Sequence, residues 1–161
     1  MLSFRKRSRI LSLALPVAGM CVLGCFDDDD DDDGIFNGDG DGDRGAVAEI
    51  RGYTDTAITG TVRFDEEGDS LLVTAEIRGL AANQAYGFHV HEFGDCSAPE
   101  ASGGHFHPAE PHGNPLDTGS VHHRGDLPNV QTDSAGVGRL TFMTDDIDLE
   151  TADRSVVSRS V

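Results

Sequence analysis

Positive charge is scarce in this sequence: its 161 residues carry 12 Lys and Arg against 29 Asp and Glu, for a net charge of −17. Neutralising a phosphate backbone needs a basic face, so nucleic-acid binding is excluded. Length is limited as well, enough for one ordinary domain with tails and too little for a multidomain assembly. Long apolar runs are missing. The best, Ile10 to Leu23, is interrupted by Ser12 and Pro16 and is too short and broken to span a bilayer comfortably. Cysteine is sparse, with Cys21 and Cys25 close to the N-terminus and Cys96 the only thiol after them.

The charge is also unevenly divided. Residues 1–24 hold Arg5, Lys6, Arg7 and Arg9 and no acid, ahead of the apolar run, and together these read as a secretory signal. Its end, Val22-Leu23-Gly24-Cys25, resembles a lipoprotein lipobox, in which the Cys after a small residue takes a diacylglycerol thioether and becomes the new N-terminus. On that reading Cys25 is a membrane anchor; the alternative is an ordinary signal peptide cut near Ala18-Gly19 or Gly24. Both readings export the protein to a periplasmic or cell-envelope location, where thiols can pair. Residues 25–45 hold an unbroken run from Asp27 to Asp33, and Asp39, Asp41 and Asp43 alternating with Gly. They are expected to form a solvated, extended tether, because like charges repel and Gly is costly to order. Asp39, Asp41 and Asp43 also have the odd spacing of an EF-hand. Arg44, however, stands where that loop needs Gly, and Ile50 where it needs a bidentate Glu; counting from Asn37 restores Gly42 but puts Ala48 last.

The remainder, Ala46 to Val161, carries −12 and lacks helical periodicity. Val47 to Arg51, Thr59 to Phe64, Leu71 to Ile77, Ala85 to Glu92, Leu127 to Thr132 and Val137 to Thr144 alternate apolar and polar residues, which predicts half-buried strands of an all-β domain. Asp65 to Asp69 and Asp133 to Gly136 read as turns, and Ser155 to Val161 as the start of one more strand. Between Phe93 and Leu127 the alternation stops over a long stretch rich in Gly, Pro and His. Loops of such length are usually functional.

All seven His lie between His89 and His123. On a strand, His89 and His91 project from one face and Phe88 and Val90 from the other, so the two imidazoles can grip one ion. Taken alone, the pair is also what a plain polar strand face looks like. His105, His107, His112, His122, His123 and Asp126 follow on an irregular segment that can turn them inward. Neutral imidazole is the commonest ligand of zinc and copper, and one carboxylate among several His suits a closed tetrahedral zinc site. His122 and His123 point to opposite faces of an extended segment, so only one of them reaches such a site.

Four ordered motifs carry a family resemblance: Gly87-Phe88-His89-Val90-His91-Glu92-Phe93-Gly94-Asp95-Cys96, Gly104-His105-Phe106, His112-Gly113-Asn114-Pro115, and His123-Arg124-Gly125-Asp126-Leu127-Pro128-Asn129-Val130. From about Ala46 to Val161 the chain resembles the copper/zinc superoxide dismutases. The resemblance, rather than the spacing, implies a Greek-key β-sandwich closing toward a barrel, an immunoglobulin-like architecture of which that enzyme is a known case. It implies His89, His91 and His105 as catalytic copper ligands, and His105, His112, His123 and Asp126 as zinc ligands, with His105 bridging the two ions. It implies Cys96 as the loop cysteine of a disulfide. The activity implied is conversion of superoxide to oxygen and hydrogen peroxide, with copper alternately reduced and reoxidised beside zinc.

By the same alignment the family's fourth copper His, its anion-guiding Arg, the partner of Cys96 and the last strands fall beyond Val161. Two expectations result: a dismutase, or a dismutase-like zinc- and copper-binding domain without turnover. Cys96 is then either free or paired between molecules. His107 and His122 are either surface residues or occupants of a vacant copper position. A domain at −12 repels superoxide overall, which only local positive focusing overcomes. A homodimer is compatible with the sequence, although no feature specifies one.

Overall fold

The computed structural model describes residues 20–23, 44–107, 111–117 and 119–161. Cys25, the run from Asp27 to Asp33 and the series Asp39, Asp41 and Asp43 lie outside the described residues, and within the segment read as a secretory signal only the backbone of Met20–Leu23 is described.

Alternation becomes strands where it was expected. The strands are β1 (Met20–Leu23), β2 (Gly45–Gly52), β3 (Thr59–Glu67), β4 (Ser70–Arg78), β5 (Ala85–His89), β6 (Asp126–Thr132) and β7 (Gly138–Thr144). They form one antiparallel sheet in the order β1-β2-β3-β4-β7-β6-β5. Along β4, Leu71, Val73, Ala75 and Ile77 are buried while the residues between them are half-buried, the period of two that puts one face on a core. With β7 returning to lie beside β4 and β6 and β5 outside it, the topology is a Greek key, and the fold is an all-β Greek-key barrel. β6 and β7 share only two residue pairs, Gln131 with Arg139 and Thr132 with Gly138, so the sheet turns a corner there. A side chain on Gly138 would stand 2.3 Å from a Val130 methyl, which is why the corner takes Gly. Ile50, Val62, Val73, Ile77, Phe88 and Val130 are buried in the core, each contributing about 1.5–3 kcal/mol by removal from water.

Three local readings need correction. The strand expected from Ala85 to Glu92 ends at His89, and His91 beyond it makes only an isolated bridge to His105. The turn expected over Asp65 to Asp69 is tighter: β3 and β4 pair as far as Glu67 and Ser70, leaving Gly68-Asp69 as a two-residue loop with Gly68 at φ 65. Short loops with positive φ match the twist of the strands they join, so the ladder runs on through the acidic residues. Ser155 to Val161 does not begin a strand. Ser158 takes φ 64 and Arg159 N–H closes a turn on Val156 O at 3.2 Å. Val156, Ser160 and Val161 are nevertheless buried. Scattered bonds, rather than a ladder, hold this segment: Val156 N–H donates to Asp148 O at 3.0 Å, Ser160 Oγ to Phe93 O at 2.7 Å, and Arg159 Nη1 to Glu92 O at 2.6 Å. No helix among the described residues is long and apolar enough to cross a membrane.

Candidate metal centre

The centre forms where β5 and β6 end beside the long loop. His89 stands opposite Asp126 in the β5–β6 ladder. Beyond it, Val90 N–H donates to Gly125 O at 2.8 Å, Phe106 N–H to Val90 O at 2.8 Å, and Gly125 N–H to Phe106 O at 3.1 Å. These bonds stitch three distant segments together at Val90, Phe106 and Gly125, each next to a predicted ligand: His89 and His91, His105, and Asp126. A side chain on Gly125 would stand 2.3 Å from Val90 O, so the stitch requires Gly. His91 adds an isolated bridge to His105 and donates its backbone N–H to Ser160 O at 2.7 Å. Phe88 and Val90 are buried in the core, so His89 and His91 do share the other face.

Asp126 has a fully buried side chain and organises the loop. Its Oδ2 accepts the backbone N–H groups of Gly113 and His123, each at 3.0 Å, which leaves Oδ1 facing three imidazoles. His105 Nδ1 lies 2.8 Å from Oδ1, His112 Nδ1 3.1 Å and His123 Nδ1 3.3 Å, while His123 Nδ1 and His105 Nδ1 are 3.3 Å apart. A tetrahedron of ligands bound to zinc at 2.0–2.1 Å has edges of about 3.3 Å. Four of its six edges are thus already close to length, and the three-imidazole, one-carboxylate set fits zinc. Burial alone would raise the Asp126 carboxyl, but the N–H groups of Gly113 and His123 and the rings of His105 and His112 hold it well below the usual carboxylate range. It is an anion near neutral pH.

On the other side of His105, the His89 ring stacks at 3.8 Å between centroids and 22° between planes, and His91 meets His105 edge-on at 5.7 Å. His91 Nδ1 faces Gly103 O at 3.3 Å and Ser102 Oγ at 3.4 Å. Ser102 Oγ already donates to Pro99 O at 2.9 Å, so both neighbours can only accept. Nδ1 therefore carries the proton, and Nε2 keeps its lone pair for an ion. Burial, and after it the neighbouring His105, push His89 down to about 4; burial likewise lowers His105. Both rings are neutral near neutral pH, the form that binds metal. Three imidazoles suit copper. The donors of His89, His105, His112 and Asp126 also lie within 4.8 Å of one another, so His89 competes geometrically with His123 for the fourth zinc position. The 3.3 Å contacts of His123 with both His105 and Asp126 match a tetrahedron edge and favour His123.

The two extra histidines go elsewhere. His107, at φ 57, packs its ring edge-on against Phe106. His122 Nε2 bonds Asp146 Oδ2 at 3.1 Å, which raises its pKa and ties the loop to the end of β7. Cys96 is disulfide-bonded within this chain, so the expectations of a free thiol, of pairing between molecules and of a partner beyond Val161 do not hold. Sequence reasoning missed Ser102 and Gly103 behind His91, Asp146 behind His122, and Arg159, whose guanidinium lies 3.5 Å over the Phe106 ring.

Comparison with known proteins agrees with this geometry. The family model of copper/zinc superoxide dismutase matches residues 58–161. The chain is similar to a Cu-Zn superoxide dismutase of Yarrowia lipolytica, 43% identical over 120 residues, covering 72% of this chain and 75% of that one. It is similar over the same shares to those of Saccharomyces cerevisiae, at 42% identity over 120 residues, and of Neurospora crassa, at 38% over 120. The chain belongs to the copper/zinc superoxide dismutase family.

Proposed function

We propose that the protein converts superoxide to oxygen and hydrogen peroxide, with zinc held by His105, His112, His123 and Asp126 and copper by His89, His91 and His105. One observation supports the reading: His105 has its Nδ1 among the zinc-type donors while its ring lies against both His89 and His91, so a single imidazole stands between the two groups of donors. Copper would supply one-electron exchange with superoxide, and zinc a fixed positive charge without redox chemistry. Asp126 holds the zinc loop closed and the His105 ring in orientation. Ser102 and Gly103 set the His91 tautomer, and burial keeps His89 neutral. Protein loaded with both metals should show a dismutase rate that a copper chelator removes; zinc uptake with no copper-dependent rate would overturn the reading.

We propose further that the protein is exported and anchored through Cys25, with the acidic stretch that follows as a solvated spacer. The basic start, the broken apolar run and the Val22-Leu23-Gly24-Cys25 sequence support this. Cys25→Ser should move the protein from the membrane fraction to the soluble one, and unchanged membrane retention counts against the anchor.

A further inference from the structure

The β5–β6 ladder shifts register at Gly87: Tyr86 pairs with Val130 and Phe88 with Leu127, so the extra residue lies on β6 and β5 itself alternates without interruption. Gly87 therefore lies two residues before His89 on the same face of the strand. A β carbon at Gly87 would stand 2.9 Å from His89 Cε1, 3.4 Å from Nε2 and 3.9 Å from Nδ1. The imidazole thus lies back over the strand, above the one residue that has no side chain, while it also stacks on His105 at 3.8 Å. Other crowded glycines of the centre differ. At Gly113 a β carbon would meet Val121 O at 2.3 Å, and at Gly125 Val90 O at 2.3 Å; those are backbone atoms, and the fold itself would have to give. At Gly87 the three nearest atoms all belong to the His89 ring, so the ring is what moves.

We propose that Gly87 is a positioning residue for the copper half of the centre: its missing side chain is the seat that fixes where the His89 imidazole stands. The inference rests on the assignment of His89 to copper. Ordinary carbon contacts are about 3.5–4.0 Å, so a methyl at 2.9 Å displaces the ring by roughly half an ångström or more. Metal–ligand distances tolerate only about 0.2 Å. The zinc donors do not include His89 and are held by Asp126, so they should stay in place.

The test compares wild type, Gly87→Ala and His89→Ala, each loaded with zinc, by Cu(II) titration against a competing chelator and by Cu(II) electron paramagnetic resonance. Gly87→Ala should bind zinc as wild type does and keep its melting temperature in the metal-free state. Its copper affinity should fall about 10–100-fold, with a changed copper hyperfine splitting. Wild-type copper affinity and spectrum in Gly87→Ala would overturn the inference. If His89→Ala alone then weakens copper, the copper assignment stands and only the seat falls; if neither variant weakens it, both fall. Equal loss of zinc and of thermal stability in Gly87→Ala would also overturn it, because the glycine would then serve the fold rather than one ligand.

Discussion

His105→Ala should bring the copper-dependent dismutase rate of fully loaded protein down to background and weaken both metals at once. The reason is the shared position of this ring: Nδ1 is 2.8 Å from Asp126 Oδ1 and 3.3 Å from His123 Nδ1, and the ring is stacked on His89. Loss of groups that merely orient metal ligands costs 10–100-fold, so loss of a donor common to two ions should cost about 100-fold or more in activity. The metal-free fold should survive. His105 is a neutral ring with a quarter of its side chain exposed, and Asp126 keeps the N–H groups of Gly113 and His123. The expected destabilisation is about 1 kcal/mol, that of one hydrogen bond. His112→Ala provides the contrast. Its side chain is the most exposed of the zinc set, at 58%; its Nδ1 faces Asp126 Oδ1 at 3.1 Å and its ring meets His89 only edge-on, at 5.2 Å, so zinc should weaken more than copper. Metal titration of both variants, read beside the rate, checks this. If His105→Ala retained the rate or wild-type copper affinity, the shared-ligand reading would be wrong.

What the sequence made legible is what repeats over a few residues. Period-two alternation located β3, β4, β6 and β7, and it put His89 and His91 on one face because Phe88 and Val90 needed the core. The four motifs supplied the expected ligand set through family resemblance rather than spacing, including the choice of His123, whose Nδ1 lies 3.3 Å from Asp126 Oδ1, over its neighbour His122. Features that depend on segments far apart in the chain left no such trace. Nothing in the sequence around His122 announces Asp146, and nothing around Ser160 announces that its carbonyl receives His91 N–H. Ser155 to Val161 misled because Val156 and Val161 are apolar and buried, as in a strand, while Ser158 breaks the extended path by its left-handed backbone. Gly87 was visible as a letter of a motif, but its relation to the His89 ring depends on how that ring is turned back over the strand, which only the structure shows.

Arg159→Ala should lower the melting temperature of the metal-free protein by roughly 10 °C and weaken copper more than zinc. Arg159 Nη1 donates to Glu92 O at 2.6 Å and Nε to Ser155 O at 2.7 Å, and the guanidinium carbon lies 3.5 Å from the Phe106 ring centroid. Burial lowers its pKa, but a guanidinium remains charged throughout the accessible range. Hydrogen bonds from a charged group contribute about 1.5–3 kcal/mol each, and a cation over an aromatic face about 0.5–2. Part of this is recovered by water at a half-exposed site, leaving about 2–4 kcal/mol, or roughly 10 °C for a domain of this size. The consequence for the metals follows from what the guanidinium touches. Glu92 follows His91, Phe106 follows His105, and the next residue, Ser160, holds His91 by its backbone. The bonds that hold His112, His123 and Asp126 in the zinc loop do not involve residues 155–161. Arg159→Lys should restore less than half of the loss, because one ammonium cannot reach both carbonyls in a fixed fork and stand over Phe106 at the same time. Thermal melts of the three proteins, with copper and zinc affinities measured separately, decide the matter. Full rescue by Lys would mean that charge alone is what counts, and equal weakening of both ions would mean that the segment supports the fold in general rather than the copper ligands it touches.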